Sequence, residues 1–285
     1  MIKDSELKAL VTLLEDEDSE IVEHVEKKLM EMGTCVIPLL EREWEINFNP
    51  LIQTRIEDLI HNLQFELFQE RLEDWKNNRE DDLLEGLWVL ATYQYPDLDL
   101  DFLKQEFHQL YIDIWREFRE NLLPFDQVRL INNILFNQFK FRANTKNFHS
   151  PANSMINAVL ESKKGNPISL CSVYLLVSRK LDLPIYGVNL PNLFILTYQG
   201  NNNHFYINVF NKGLIFSKDD IDNYLEQLDI PRNEEYYQPC SNTQIVVRSI
   251  RNLMMSFEKL GDYQRTDELK IALNRIGESP LGMEL

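Results

Sequence analysis

The chain reads as a mostly helical α+β protein. Apolar residues recur at helical spacing over its first 120 positions and again after Asp219. Between these stretches lies one short series of alternating or wholly apolar runs, punctuated by Pro, Gly and Asn, which gives a small antiparallel sheet. Its 285 residues are 44% hydrophobic, enough for a large core or a few smaller ones.

Leu7, Leu10, Val11 and Leu14, then Ile21, Val22, Val25 and Leu29 after the acidic Glu15–Ser19 turn, predict two short amphipathic helices. Met32-Gly33 stops the second, and Ile37-Pro38-Leu39-Leu40 starts another. This pattern resembles a HEAT-type helical repeat, which needs stacked neighbours to be stable. Leu51, Ile52, Ile56, Leu59, Ile60 and Leu63, and later Leu83 to Leu90, continue the helical period.

Tyr95-Pro96-Asp97 breaks the pattern. A helix from about Phe102 to Asn121 should follow, with Tyr111, Trp115 and Phe118 forming a core stripe. Another helix is expected over Leu130–Phe139, and the Asn-, Ser- and Pro-rich stretch Asn144–Asn153 reads as loop. Asn166 is a favourable N-cap and Pro167 suits the first helical position, so a buried helix should run to Leu181. Strands are expected at Ile185–Leu190, Leu193–Tyr198, Phe205–Phe210 and Leu214–Phe216. If the second hairpin turns about Asn201, position 193 faces 209 and 194 faces 208. Thr243–Ile276 should form a two-helix hairpin resembling a tetratricopeptide-like repeat, docked on the domain before it. The expected divisions are 1–75, 76–240 and 241–285.

Charge is concentrated at one end. Residues 1–120 hold 30 acidic and 12 basic side chains, within a whole-chain net charge of -17. An acidic front half repels phosphate backbones, which argues against nucleic acid and toward another protein as partner. Cys35, Cys171 and Cys240 are too few and too scattered for a disulfide framework. There is no signal-like start and no apolar run long enough to span a membrane, so the cytoplasm is the expected location, with no membrane partner. His24, His61, His108, His149 and His204 lack the spacing of metal ligands, and neither a metal nor a cofactor is expected.

The segment Leu135–Gly213 carries Asn144, Pro151-x-Asn153-Ser154, Gly165-x-Pro167-Ile168-Ser169-Leu170, Leu183-Pro184, Gly187-Val188-Asn189-Leu190-Pro191 and Phe210-Asn211-x-Gly213. In these residues it resembles the SirB-type branch of the transglutaminase-like proteins. The resemblance implies a papain-like core between a helical front segment and a tetratricopeptide-like tail. It also implies triad-equivalent positions. The nucleophile would come from the helix start at Ser169 or Cys171, the base from Leu193 where the family pattern has histidine, and the third member from Asn208 where it has aspartate. Leucine transfers no proton, whereas an Asn can serve as a third member. His204 lies about 13 Å along the strand from Asn208, too far to substitute.

The expectation is therefore a catalytically inactive transglutaminase-like protein acting as an interaction or scaffold module. Two alternatives remain open: a hydrolase or acyltransferase using Cys171 or Ser169 with an unrecognised base, and a peptide or small-molecule pocket lined by Asn189, Asn192 and Asn208. Oligomeric state is not encoded in any pattern here.

Overall fold

The computed structural model describes residues 4–16, 18–200 and 202–280, and side chains from residue 8 onward. Leu7 of the first predicted stripe and Asn201 of the predicted turn therefore lie outside the described side chains. The chain divides into two compact units, Met1–Arg71 and Leu72–Leu285.

The first unit contains α1 (Asp4–Leu13), α2 (Ser19–Glu31), α3 (Ile37–Ile46) and most of α4 (Pro50–Asn78). Asp18 caps α2 by accepting from the Glu20 amide at 2.9 Å. Gly33, at φ 69, turns the chain into a 3-10 segment over Thr34–Val36, and Pro38 opens α3. The predicted stripes meet in one core that includes Leu10, Leu14, Val25, Leu29, Leu40, Ile56 and Leu63. Ile21 and Leu51 are exceptions, at 37% and 52% exposed.

The second unit contains α5 (Leu83–Thr92), α6 (Leu100–Trp115), α7 (Pro124–Asn132), α8 (Ile156–Ser162), α9 (Pro167–Lys180), α10 (Lys218–Gln227), α11 (Asn242–Leu260) and α12 (Tyr263–Arg275). The protein is mostly helical with a small antiparallel sheet, as predicted. Helix α6 stops at Trp115, short of the expected Asn121, and its buried stripe is Leu103, Phe107, Leu110 and Ile114. The expected core stripe is thereby corrected, because Trp115 lies half in solvent and Tyr111 and Phe118 are only partly covered. The helix expected over 130–139 begins earlier, at Pro124. It then widens into a π-turn over Asn133–Gln138, closed by the Phe139 amide on the Ile134 carbonyl at 2.9 Å.

Strands β1 (Arg142–Ala143) and β2 (Lys164–Gly165) form a two-residue parallel pair that the sequence did not announce. Strands β3 (Ile185–Leu190), β4 (Leu193–Gly200), β5 (Asn203–Asn208) and β6 (Leu214–Phe216) form an antiparallel meander in sequence order. Strand β5 ends at Asn208, where a 3-10 turn over Val209–Asn211 replaces the predicted continuation to Phe210. Every residue of α9 from Ile168 to Ser178 is buried, serines included, so this helix is covered all round and sits at the centre of the unit. It packs against β3 and β4, while Ile221 and Leu225 of α10 cover the opposite face of the sheet. The α11–α12 hairpin closes with Gly261 in the left-handed region and packs on α5 and α9.

Gly213 ties the meander to α7. Its φ is +73, and the Asn132 amide donates to its carbonyl at 2.8 Å. A Cβ there would stand 2.1 Å from Asn132 Oδ1. Gly213→Ala is expected to cost about 2–4 kcal/mol, from a disfavoured backbone and a displaced amide together. The midpoint of urea denaturation reads it directly, and an unchanged midpoint would rule out this anchoring.

Candidate functional site

The site begins at the N-terminus of α9. Asn166 Oδ1 accepts from the Ser169 amide at 2.9 Å, while Ser169 Oγ accepts from the Asn166 amide at 3.1 Å, a reciprocal capping box. Asn166 Nδ2 continues to Ser154 Oγ at 3.1 Å. Asn144 Nδ2 donates to Asn153 Oδ1 at 2.8 Å, and Asn153 Nδ2 donates in turn to the carbonyls of Asn147 and Phe148. The polar residues of the Asn144, Asn153-Ser154 and Asn166–Ser169 motifs thus hold the loop onto the helix. Their hydrogen-bonding capacity is spent on architecture. Ser169, 4% exposed, also donates to the Asn166 carbonyl at 3.2 Å and has no proton acceptor of catalytic type among its bonds.

Cys171 lies two residues further in and is fully buried. Its thiol points at the Phe194 carbonyl, 3.5 Å away. Burial pushes its pKa well above the ordinary thiol range and the neighbouring Cys240 adds to the rise. The Val209 amide and the Arg248 guanidinium pull weakly the other way. A thiol in this setting stays protonated at neutral pH and is a poor nucleophile.

Leu193 and Asn208 do not join it. The register pairs Asn189 with Phe194 and Leu190 with Leu193 across the Pro191-Asn192 turn, where Asn192 adopts φ 57. Since side chains alternate, Asn189, Phe194 and Leu196 share one face of the sheet, and Val188, Leu190, Leu193 and Ile195 share the other. Leu193 packs on the second face with Ile195, Tyr206, Ile221 and Leu225, against α10. Cys171 is on α9, against the first. Asn208 ends β5, on the parity of Tyr206, and its Oδ1 accepts from the Asn211 amide at 3.1 Å to cap the 3-10 turn.

The expected register is corrected as well. Gly200 pairs with Asn203 and Leu196 with Ile207, which puts the turn between positions 201 and 202 and shifts every partner by one. The pairings 193 with 209 and 194 with 208 do not form. The pocket imagined between Asn189, Asn192 and Asn208 is not assembled, because Asn189 and Asn208 project from opposite faces and Leu193 is packed under α10. His204 is exposed, and its Nε2 lies 3.1 Å from Thr197 Oγ1 beside the turn.

One member of this region was not singled out from the sequence. Arg248 on α11 inserts among Asn189, Phe194 and Cys240. One guanidinium nitrogen donates to Asn189 Oδ1 and to the Leu190 carbonyl, the latter at 2.7 Å, and the group lies 5.9 Å from the Phe194 ring centroid. Burial lowers its pKa to about 10, with Cys240, Tyr224 and Cys171 opposing that shift. Cys240, whose amide donates to the Gly187 carbonyl at 2.8 Å, is pushed up to about 12 by burial. The sequence offered little signal, since Arg248 shares its helix face with the polar Gln244, Arg251 and Asn252.

A helix carrying a core cysteine, laid on an antiparallel meander, is the arrangement found here, and the family model for the transglutaminase-like superfamily matches residues 102–251. The chain belongs to that superfamily. Among curated relatives, a UPF0162 protein of Xylella fastidiosa strain 9a5c is 27% identical over 191 residues, covering 64% of this chain and 67% of that protein. Its counterpart in strain Temecula1 is 28% identical over 179 residues, 60% of this chain and 63% of that protein. Mouse F-box only protein 21 is 35% identical over 91 residues, covering 29% of this chain but only 14% of that protein. No solved structure matches. In this transglutaminase-like chain no group of three or more His, Cys, Asp or Glu side chains that could hold a metal occurs among the described residues, and no described helix is long and apolar enough to cross a membrane.

Proposed function

We propose that this chain is a catalytically inactive transglutaminase-like protein, of the SirB-type branch, that acts as a protein-interaction or scaffold module in the cytoplasm. The observation that carries the reading is the position of Cys171, sealed against the Phe194 carbonyl, with the triad-equivalent Leu193 on the other face of the sheet. A thiol without an imidazole at hand has nothing to take its proton, and burial adds a second obstacle. The front unit would serve as a HEAT-like surface and α11–α12 as a tetratricopeptide-like brace, with another protein rather than nucleic acid or membrane as partner.

Turnover tests this. The purified protein should release no ammonia from glutamine peptides and cleave no peptide, and iodoacetamide should label Cys171 near pH 7 at the slow rate of a buried thiol. Leu193→His should not create activity, because an imidazole there would point toward α10. Turnover abolished by Cys171→Ala, or activity gained with Leu193→His, would defeat the proposal.

A further inference from the structure

The first unit carries a feature that the core does not explain. Helices α3 and α4 lie side by side with an open groove of about 540 Å³ between them. Its apolar lining is Trp44 of α3 and Ile60 of α4, and its polar lining is Glu41 and Glu45 from α3 and Glu57, His61 and Gln64 from α4. Positions 41, 44 and 45 share one face of α3, and 57, 60, 61 and 64 share one face of α4, so the groove follows two helical turns, about 10 Å.

Trp44 is fixed in place. Its Nε1 donates to Glu57 Oε1 at 2.9 Å and its carbonyl accepts from Gln53 Nε2 at 3.3 Å, yet the side chain stays 37% exposed. At the Trp44 end, around the short link between the helices, Ile46, Phe48 and Leu51 also face water, Phe48 at 90%. Scattered apolar exposure is ordinary, but an exposed indole lining a groove, with three more exposed apolar residues nearby in the chain, marks a contact surface. Residues 1–71 hold 17 acidic and 7 basic side chains, and all the titratable groups walling the groove, His61 apart, are carboxylates.

We propose that this groove docks a segment of another polypeptide in which a bulky apolar side chain is flanked by lysines or arginines. The apolar residue would lie on Trp44 and Ile60, losing water from both surfaces. The flanking cations would sit against Glu41, Glu45 and Glu57, where opposite charge steers the encounter and disfavours acidic segments. A rigid indole held by Glu57 limits the ordering cost of binding. This gives the interaction reading a surface, and it rests on the groove alone, so it can fail while the core remains inactive, or hold if the core proves active.

The test uses the full chain and the indole N–H resonance of Trp44, assigned by Trp44→Phe. Titration with the hexapeptide Lys-Lys-Leu-Phe-Lys-Lys should shift this signal saturably. Peptides with Gly-Gly in place of Leu-Phe, or Glu in place of every Lys, should bind at least about tenfold more weakly. Glu41 and Glu45 are exposed, so the double variant Glu41→Lys, Glu45→Lys keeps the fold, checked by its helical circular dichroism, and should weaken binding by a similar factor. An unmoved Trp44 signal overturns the proposal. So does equal binding of the Gly-Gly peptide, which would reduce the effect to bulk charge, or of the double variant.

Discussion

Replacing Phe194 by alanine is expected to lower stability by about 3–5 kcal/mol and to turn Cys171 into a thiol that reagents can reach. The ring is 1% exposed and lies so close over Gly187 that a Cβ on that residue would stand 2.7 Å from Phe194 Cζ. Near it are Arg248, 5.9 Å from the ring centroid, and Cys240, whose Sγ would stand 3.0 Å from the same Cβ. Truncation opens a cavity beside a guanidinium and two thiols. Such a space is polar enough to admit water, so the desolvation that now suppresses the thiolate is relieved along with the packing. Two readouts separate these effects. Guanidinium denaturation gives the loss of stability, and iodoacetamide labelling under native conditions gives access to Cys171. Labelling should rise by at least about tenfold beyond what increased global unfolding explains. Phe194→Leu, which refills most of the volume, should restore most of the protection. A destabilised variant whose Cys171 labels no faster would mean that α9 itself, rather than the ring, seals the sulfur.

The parts of this site written in local chemistry were legible in the sequence, and those that depend on distant packing were not. Asn166 followed by Pro167 announces a helix start because the cap and the fixed φ act within one turn, and α9 begins there. The expected burial of this helix extends to Cys171, which is fully buried. Strand positions in the meander followed from alternation and punctuation, but its register did not. Taking the turn to centre on residue 201, rather than between 201 and 202, shifts each partner by one and moves each predicted pair to the wrong face. The extent of α6 was misjudged because Trp115 and Phe118 continue an aromatic period past the point where the chain leaves the helix. Arg248 escaped notice because what makes it informative, contact with Asn189 and Leu190, comes from a strand almost 60 positions away. Of the motif residues, Asn144, Asn153, Ser154, Asn166 and Ser169 form the hydrogen bonds that order the loop and hold it to the helix.

Alkaline pH should unfold this protein earlier than its acidic composition suggests, with about 1.4 kcal/mol lost between pH 8 and pH 10 from Cys240 and a further loss in the same direction from Cys171. Cys171 is raised well above the ordinary thiol value of 9.0, and Cys240 is pushed up to about 12. In the unfolded chain both return to about 9 and release a proton as pH rises past it, while folded Cys240 keeps its proton at pH 10 and burial shifts Cys171 in the same direction. The unfolded state then binds fewer protons than the native one, and stability falls with pH at one proton per thiol. This contribution is fully present below pH 9, fades above it, and for Cys240 is exhausted once pH passes 12. One unit of pH beyond the unfolded value is about 1.4 kcal/mol per group. Arg248 works in the opposite sense, since its pKa of about 10 lies below the free value of 12.5. Burying its charge costs stability below pH 10, and that cost is relieved above it, too late to offset the thiols at pH 10 itself. Tyr93 and Tyr174, both raised by burial, add smaller losses in the same direction as the cysteines. Urea denaturation at pH 8, 9 and 10 measures the slope, and Cys240→Ala should make it shallower. An equal slope in that variant would remove Cys240 from the buried-thiol account of this site.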